Sequence, residues 1–178
     1  MSATALLPVL FVSHGAPLFA IDAGETGPAL RAWAQRLPTE PALRGVVVLS
    51  PHWMARTPTV MTTPNPQTWH DFGGFPPALY ELQYPAPGSP GLANEVLERI
   101  RSAGIATQAD DKRPFDHGAW VPLMHLFPDA NVPVVQVALP ERKAEVIAPG
   151  ASADIRMIGS DQWLKGRVIN ISGAASRR

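Results

Sequence analysis

Two of the chain's five histidines stand in matching contexts. Leu6 to Val12 leads into Ser13-His14-Gly15, and Val46 to Leu49 leads into Ser50-Pro51-His52-Trp53, so each apolar run is followed by a serine and a histidine. Read as buried strands, the two runs place both imidazoles at strand ends, where side chains are held rigidly yet reach a ligand. Imidazole is the commonest neutral metal ligand. Two of them with a third group from elsewhere are the minimal kit for a catalytic Zn or non-haem Fe(II) centre with open positions. The same pattern also fits hydrogen-bonded strand-end residues with no metal.

Three further histidines sit among polar and apolar neighbours. His70-Asp71-Phe72-Gly73-Gly74-Phe75-Pro76 joins a titratable pair to a flexible Gly-Gly and two aromatic rings, which suits a loop folding over a ligand. Phe115-Asp116-His117-Gly118-Ala119-Trp120 puts an Asp-His pair just before a helix, where backbone N–H groups favour an anion and an imidazole can reach a bound oxygen species. Asp116 there reads as an N-cap, which leaves His117 free for a role. His125, between Met124 and Leu126, reads as structural.

Composition limits what such a site can be. At 178 residues, with 46% hydrophobic and 17% charged, the chain suits one domain with its own core. Fifteen basic residues balance fifteen acidic ones, so no electrostatic footprint for nucleic acid or an anionic membrane is expected. With no cysteine, thiolate metal sites, iron–sulfur clusters and a Cys nucleophile are excluded, and a metal must use His, Asp or Glu. Residues Ala5 to Val12 lack a preceding basic residue and are too short to span a bilayer. A soluble, cytoplasmic protein with a small partner is the expectation.

The elements that must position these residues follow from periodicity and punctuation. A strand is predicted at about 7–13, a helix over Pro28 to Leu37, and a strand at about 45–50. Met54 to Gly88 reads as a long functional loop region with two weak extended segments, Thr59 to Thr62 and Leu79 to Gln83. The clearest helix is Ser89 to Ala103, with Ser89 as N-cap, Pro90 at its first position and Gly104 closing it. A short segment Ile105 to Gln108, a helical run Ala119 to Leu126 and a buried strand Pro133 to Leu139 complete the order. Strands alternating with helices predict an α/β fold, a three-layer sandwich whose mixed, largely parallel central sheet is flanked by helices. Residues 1–140 carry the recognisable part, and 141–178 read as a divergent remainder of the same domain.

Five stretches carry a family resemblance in order: Val12-Ser13-His14-Gly15-Ala16-Pro17, Ser50-Pro51-His52-Trp53, His70 to Pro76, Tyr84-Pro85-Ala86-Pro87-Gly88, and Asp116 to Trp120. Together they resemble the motifs of the class III extradiol ring-cleavage dioxygenases (LigB-like), in the 4,5-DOPA dioxygenase extradiol branch. The resemblance implies insertion of both atoms of O₂ into a catechol such as DOPA, next to rather than between its hydroxyls. It makes His14 and His52 the metal ligands. It makes His117 a histidine that positions substrate or oxygen, and puts His70 and Asp71 in the substrate pocket. The implied metal is Fe(II), with zinc possible in purified protein, and the implied partners are a small aromatic diol and O₂.

The chain also departs from that pattern. The family carries a third metal ligand and a catalytic-base histidine toward its C-terminus, whereas no histidine follows His125 here. Lys165 to Gly173 can be laid on the family's strand and turn, which puts Arg177 near the base position, and arginine stays protonated. The C-terminal part therefore reads as truncated or divergent. Two other readings stand beside ring cleavage: a non-enzymatic, Memo-like binding protein on the same scaffold, and a zinc hydrolase using His14, His52 and a carboxylate such as Asp71.

Overall fold

Residues Val134–Pro140 form a strand in the computed structural model, and alternate side chains along it enter two different apolar clusters. Val135 and Val137 join Val60, Ala93 and Leu97, while Val134 and Ala138 join the larger cluster around Trp120, Phe115 and Tyr84. A period of two along a central strand puts a core on each face of the sheet. The structure describes residues 7–38, 42–140, 152–156 and 163–167. The chain divides into two units, Met1–Leu139 and Pro140–Arg178.

In the first unit the elements run α1 (Thr26–Ala34), β1 (Val46–Ala55), β2 (Thr59–Met61), α2 (Pro77–Tyr80), α3 (Pro90–Ser102), β3 (Gln108–Asp110), α4 (His117–Leu126) and β4 (Val134–Pro140), with a 3₁₀ turn at Pro17–Ala20. The sheet is mixed and mostly parallel, in the order β1-β4-β2-β3. β2 pairs parallel with β3 from Thr59↔Gln108 to Met61↔Asp110, and antiparallel with β4 at Val60↔Val137. The expected α/β sandwich is thus present. In the second unit β5 (Ser152–Arg156) and β6 (Trp163–Arg167) form an antiparallel pair. Val168 to Gly173 and Arg177 lie outside the described residues.

Helix α3 follows the sequence signals closely. Ser89 caps it by accepting from the Leu92 N–H at 3.3 Å, Pro90 opens it, and Gly104 follows it with φ +76°. A cap of this kind contributes about 1 kcal/mol. Leu97 and Ala93 are buried against Val60, so α3 covers one face of the sheet. On the other face α4 is buried almost throughout, from His117 to Leu123, and Leu30 of α1 joins that core.

Three expectations are corrected. Residues 7–13 carry no strand, and Val9 and Phe11 are 100% and 91% exposed. Only Leu10 and Val12 pack on the core, so the segment is extended with one face inward, and nothing among the described residues pairs its backbone into a ladder. Strand β1 does not stop at residue 50: it runs through Pro51 to Ala55, which makes His52 a strand residue. Proline is tolerated because β1 is the edge strand of the described sheet, where one side of the backbone needs no partner. Leu79 to Gln83 is not extended either. Pro76 and Pro77 start a helical turn, closed by the Leu79 N–H on Pro76 O at 3.0 Å, which seats Leu79 in the core with no exposure.

The Tyr84 to Gly88 segment is stitched in tightly. The Gly88 N–H donates to Pro64 O at 2.9 Å, and a Cβ at residue 88 would stand 1.9 Å from Thr63 O. Because the obstacle is backbone, it cannot swing aside. We expect Gly88→Ala to destabilise the protein by about 2–3 kcal/mol, read as a lowered urea midpoint. An unchanged midpoint would contradict this close approach.

Candidate metal centre

His14, His52 and His117 reach the site from three different segments. His14 ends the extended stretch and is followed by Gly15 at φ +64°, a left-handed turn that sends the chain into the Pro17–Ala20 turn. That turn is held by His125, whose Nε2 lies 2.8 Å from Phe19 O, so His125 is structural. His52 comes from β1, beside the inward-facing Trp53. His117 is the first residue of α4.

The three rings crowd together. The Nε2 atoms of His14 and His52 are 2.8 Å apart, and the ring centroid of His117 lies 4.0 Å from that of His52 and 5.3 Å from that of His14. One ligand atom from each lies within 4.8 Å of the others, so the group could hold a metal ion. The chemistry of the donors fits: a tetrahedral ion with metal–nitrogen bonds of about 2.0–2.1 Å spaces two imidazole nitrogens by about 3.3 Å. Opening the His14–His52 contact by roughly half an ångström would suffice.

Asp71 sets the state of His117. Its Oδ1 accepts from the His117 backbone N–H at 2.9 Å and from Nδ1 at 2.8 Å. A carboxylate only accepts, so Nδ1 carries a proton, and in the neutral imidazole the Nε2 lone pair is the free one. Burial pushes the Asp71 carboxyl up, but the hydrogen bonds from His117 outweigh it and hold the group below the usual aspartate value. His14 and His52 are both held below the ordinary histidine value. Partial burial is the main cause, although His52 keeps an exposed edge. Neighbouring imidazoles add to it, from His52 and His117 for His14 and from His117 for His52. Ligands kept neutral are ligands ready for a cation.

His70 stays outside this cluster. Its Nε2 donates to Leu82 O at 3.0 Å, and its ring lies 5.7 Å from both Phe72 and Trp120. Phe72 in turn stands edge-on to His117 at 5.5 Å and near Phe75 and Tyr80, so an aromatic wall borders the histidines. Sequence reasoning missed Ser50, Gln136 and Gly118. Ser50 Oγ accepts from the His52 N–H at 3.2 Å and donates to Asp116 Oδ1 at 2.5 Å. The repeated serine ahead of each histidine was a visible signal for it. Asp116 sits at the N-cap of α4, but its side chain makes no cap bond and turns inward instead. Gly118 leaves room: a Cβ there would stand 2.4 Å from Ser50 Oγ and 2.7 Å from His52 Cδ2.

Fold and site together define an α/β protein with a group of three histidines that could hold a metal ion. The family described as the catalytic LigB subunit of aromatic ring-opening dioxygenase matches residues 8–148, and the chain belongs to that family. It is 40% identical over 143 residues to 4,5-DOPA dioxygenase extradiol of Escherichia coli (strain K12), covering 80% of this chain and 51% of that protein. It is 35% identical over 160 residues to 4,5-DOPA dioxygenase extradiol of Beta vulgaris, covering 84% and 59%. The crystal structure of the uncharacterized protein JW3007 from Escherichia coli K12 is similar with a TM-score of 0.50 and 31% identity, covering 65% of this chain and 41% of that one. The chain therefore spans about half the length of the curated relatives it matches.

Two outcomes follow from the site. Alanine is the better helix former by about 1 kcal/mol, yet Gly118→Ala should push His52 out of place and weaken metal binding about tenfold or more, read by titration with zinc. Wild-type affinity in that variant would contradict the packing. For pH, the native chain binds fewer protons than the unfolded chain wherever the His14 and His52 values are depressed. Stability of the metal-free protein should therefore fall as pH drops from the ordinary histidine value, about 6.5, through their lowered values. Urea midpoints across that range check this, and the slope should flatten in a His14→Ala/His52→Ala double variant.

Proposed function

We propose that this chain is an extradiol dioxygenase acting on a catechol such as DOPA, with His14 and His52 holding a non-haem divalent metal. The convergence of the two Nε2 atoms at 2.8 Å carries this reading. When bound, Fe(II) supplies the one-electron chemistry that joins O₂ to an aromatic ring, which no side chain can supply. The net reaction puts both oxygen atoms into the substrate and breaks the ring carbon–carbon bond beside the two hydroxyl-bearing carbons.

The protein's own part is to hold the diol and take its protons. With Nδ1–H held by Asp71, the His117 Nε2 can accept a phenolic proton, and the ionised Asp71 stabilises the imidazolium that forms. Phe72, with Phe75 and Tyr80 behind it, offers an apolar face for the substrate ring. His70 is tied to Leu82 O and stacks its edge on that wall, so its part is to shape the pocket. Asp71 Oδ1 is engaged by the N–H and ring of His117, which favours a part in positioning that histidine over the hydrolase reading. With no disulfide to form, the chain needs no oxidising compartment to fold, and we place this chemistry in the cytoplasm.

Oxygen uptake with DOPA or catechol and added Fe(II), with a yellow ring-fission product, is the expected result. Metal-loaded protein that shows neither would contradict the activity. His14→Ala and His52→Ala should each lose bound metal with the fold retained, measured by metal analysis and circular dichroism. His117→Ala should keep its metal and lose turnover by about 100-fold or more; loss of metal in that variant would move His117 among the ligands.

A further inference from the structure

We propose that Asp116 is a positioning residue that fixes His52 and His117 relative to one another, acting through Ser50 and the first turn of α4. The inference rests on the reading of His14 and His52 as ligands. Asp116 has no exposure, yet it occupies the N-cap position with extended backbone (φ −75°, ψ 164°). An aspartate there ordinarily accepts from the first-turn N–H groups and gains about 1 kcal/mol by doing so. This one forgoes that bond, and its backbone carbonyl alone serves the helix, accepting from Ala119 and Trp120 at 3.0 Å.

The carboxylate is spent on three other partners. Oδ1 takes the Ser50 hydroxyl at 2.5 Å, and Oδ2 takes the Arg113 guanidinium at 2.7 Å and the Gln136 amide. These come from β1, from the loop ahead of α4 and from β4, so one buried group ties together two strands and a helix start. Arg113 is itself wedged between the rings of Trp53 and Trp69, at 4.6 and 5.1 Å from their centroids, which fixes the direction of its donor. A buried ion pair costs several kcal/mol in desolvation, and apolar residues of the same volume are often no less stable. Stability alone therefore gives little reason for this arrangement.

Geometry gives one. The hydroxyl that Asp116 holds receives the backbone N–H of His52 at 3.2 Å, which sets the strand at the residue that carries the ligand. The next residue along from Asp116 is His117, whose ring and N–H are clamped from the far side by Asp71. Between the two lies Gly118, backed against Ser50 Oγ and His52 Cδ2. Moving the Asp116 carboxylate moves both imidazoles.

Cobalt(II) binding tests this, because its visible spectrum reports ligand geometry as well as affinity. Asp116→Asn and Ser50→Ala should each bind Co(II) about tenfold or more weakly and show shifted absorption bands. Ser50→Ala carries no charge change, so its effect separates positioning from simple attraction of a cation, and it stands in if Asp116→Asn fails to fold. Tyr84→Phe, which removes a buried hydroxyl bonded to Phe127 O at 3.1 Å, serves as a control for lost stability and should leave the spectrum unchanged. Wild-type affinity and bands in Ser50→Ala, with only a lowered urea midpoint, would overturn the proposal. Failure of the unaltered protein to bind Co(II) would instead overturn the ligand assignment beneath it.

Discussion

Helix α4 begins inside the protein, and the first N–H groups of any helix have no partner within it. His117, Gly118, Ala119 and Trp120 are all buried, so this end cannot be left to water. The structure meets the demand by bringing in Asp71, from a loop 46 residues away, to accept from the His117 N–H. The same oxygen then takes the His117 ring proton. One carboxylate thus takes the first N–H of the helix and sets the tautomer of a histidine that faces His14 and His52.

That constraint explains why the neighbouring residues are what they are. Asp71 takes the first N–H and the Asp116 backbone carbonyl takes those of Ala119 and Trp120, while the Asp116 side chain joins Ser50, Arg113 and Gln136 in the core. Gly118 follows from the closeness of α4 to β1, where any side chain would strike Ser50 and His52. Partial burial and neighbouring imidazoles hold His14 and His52 below the ordinary histidine value, an arrangement that costs the metal-free fold and favours a cation. A proton acceptor beside the His14 and His52 nitrogens, next to an aromatic wall, is the combination on which the proposed catechol chemistry rests.

Local signals in the sequence were read correctly where local physics decides. Ser89, Pro90 and Gly104 mark α3 to within a residue, and the apolar run at 133–139 is β4. The paired Ser-His contexts located two of the three clustered histidines, and the Asp-His pair before a helix located the third. What failed depended on partners far along the chain. Leu6 to Val12 has the composition of a buried strand, but whether Val9 and Phe11 are covered is set by what lies beside them. Pro51 looked like a strand end because edge position cannot be seen from within the strand. Asp116 had every local mark of a cap, but its carboxylate bonds Ser50, Arg113 and Gln136 instead, two of them far along the chain.

The central claim is that His14 and His52 converge on one ion. Crystals soaked in a zinc or cobalt(II) salt, with data collected across the metal's absorption edge, test it most directly. The account predicts one strong anomalous peak about 2.0–2.1 Å from both Nε2 atoms, with the Nδ1 of His117 still bonded to Asp71. A peak bound elsewhere, or none between these two nitrogens at saturating metal, would contradict it.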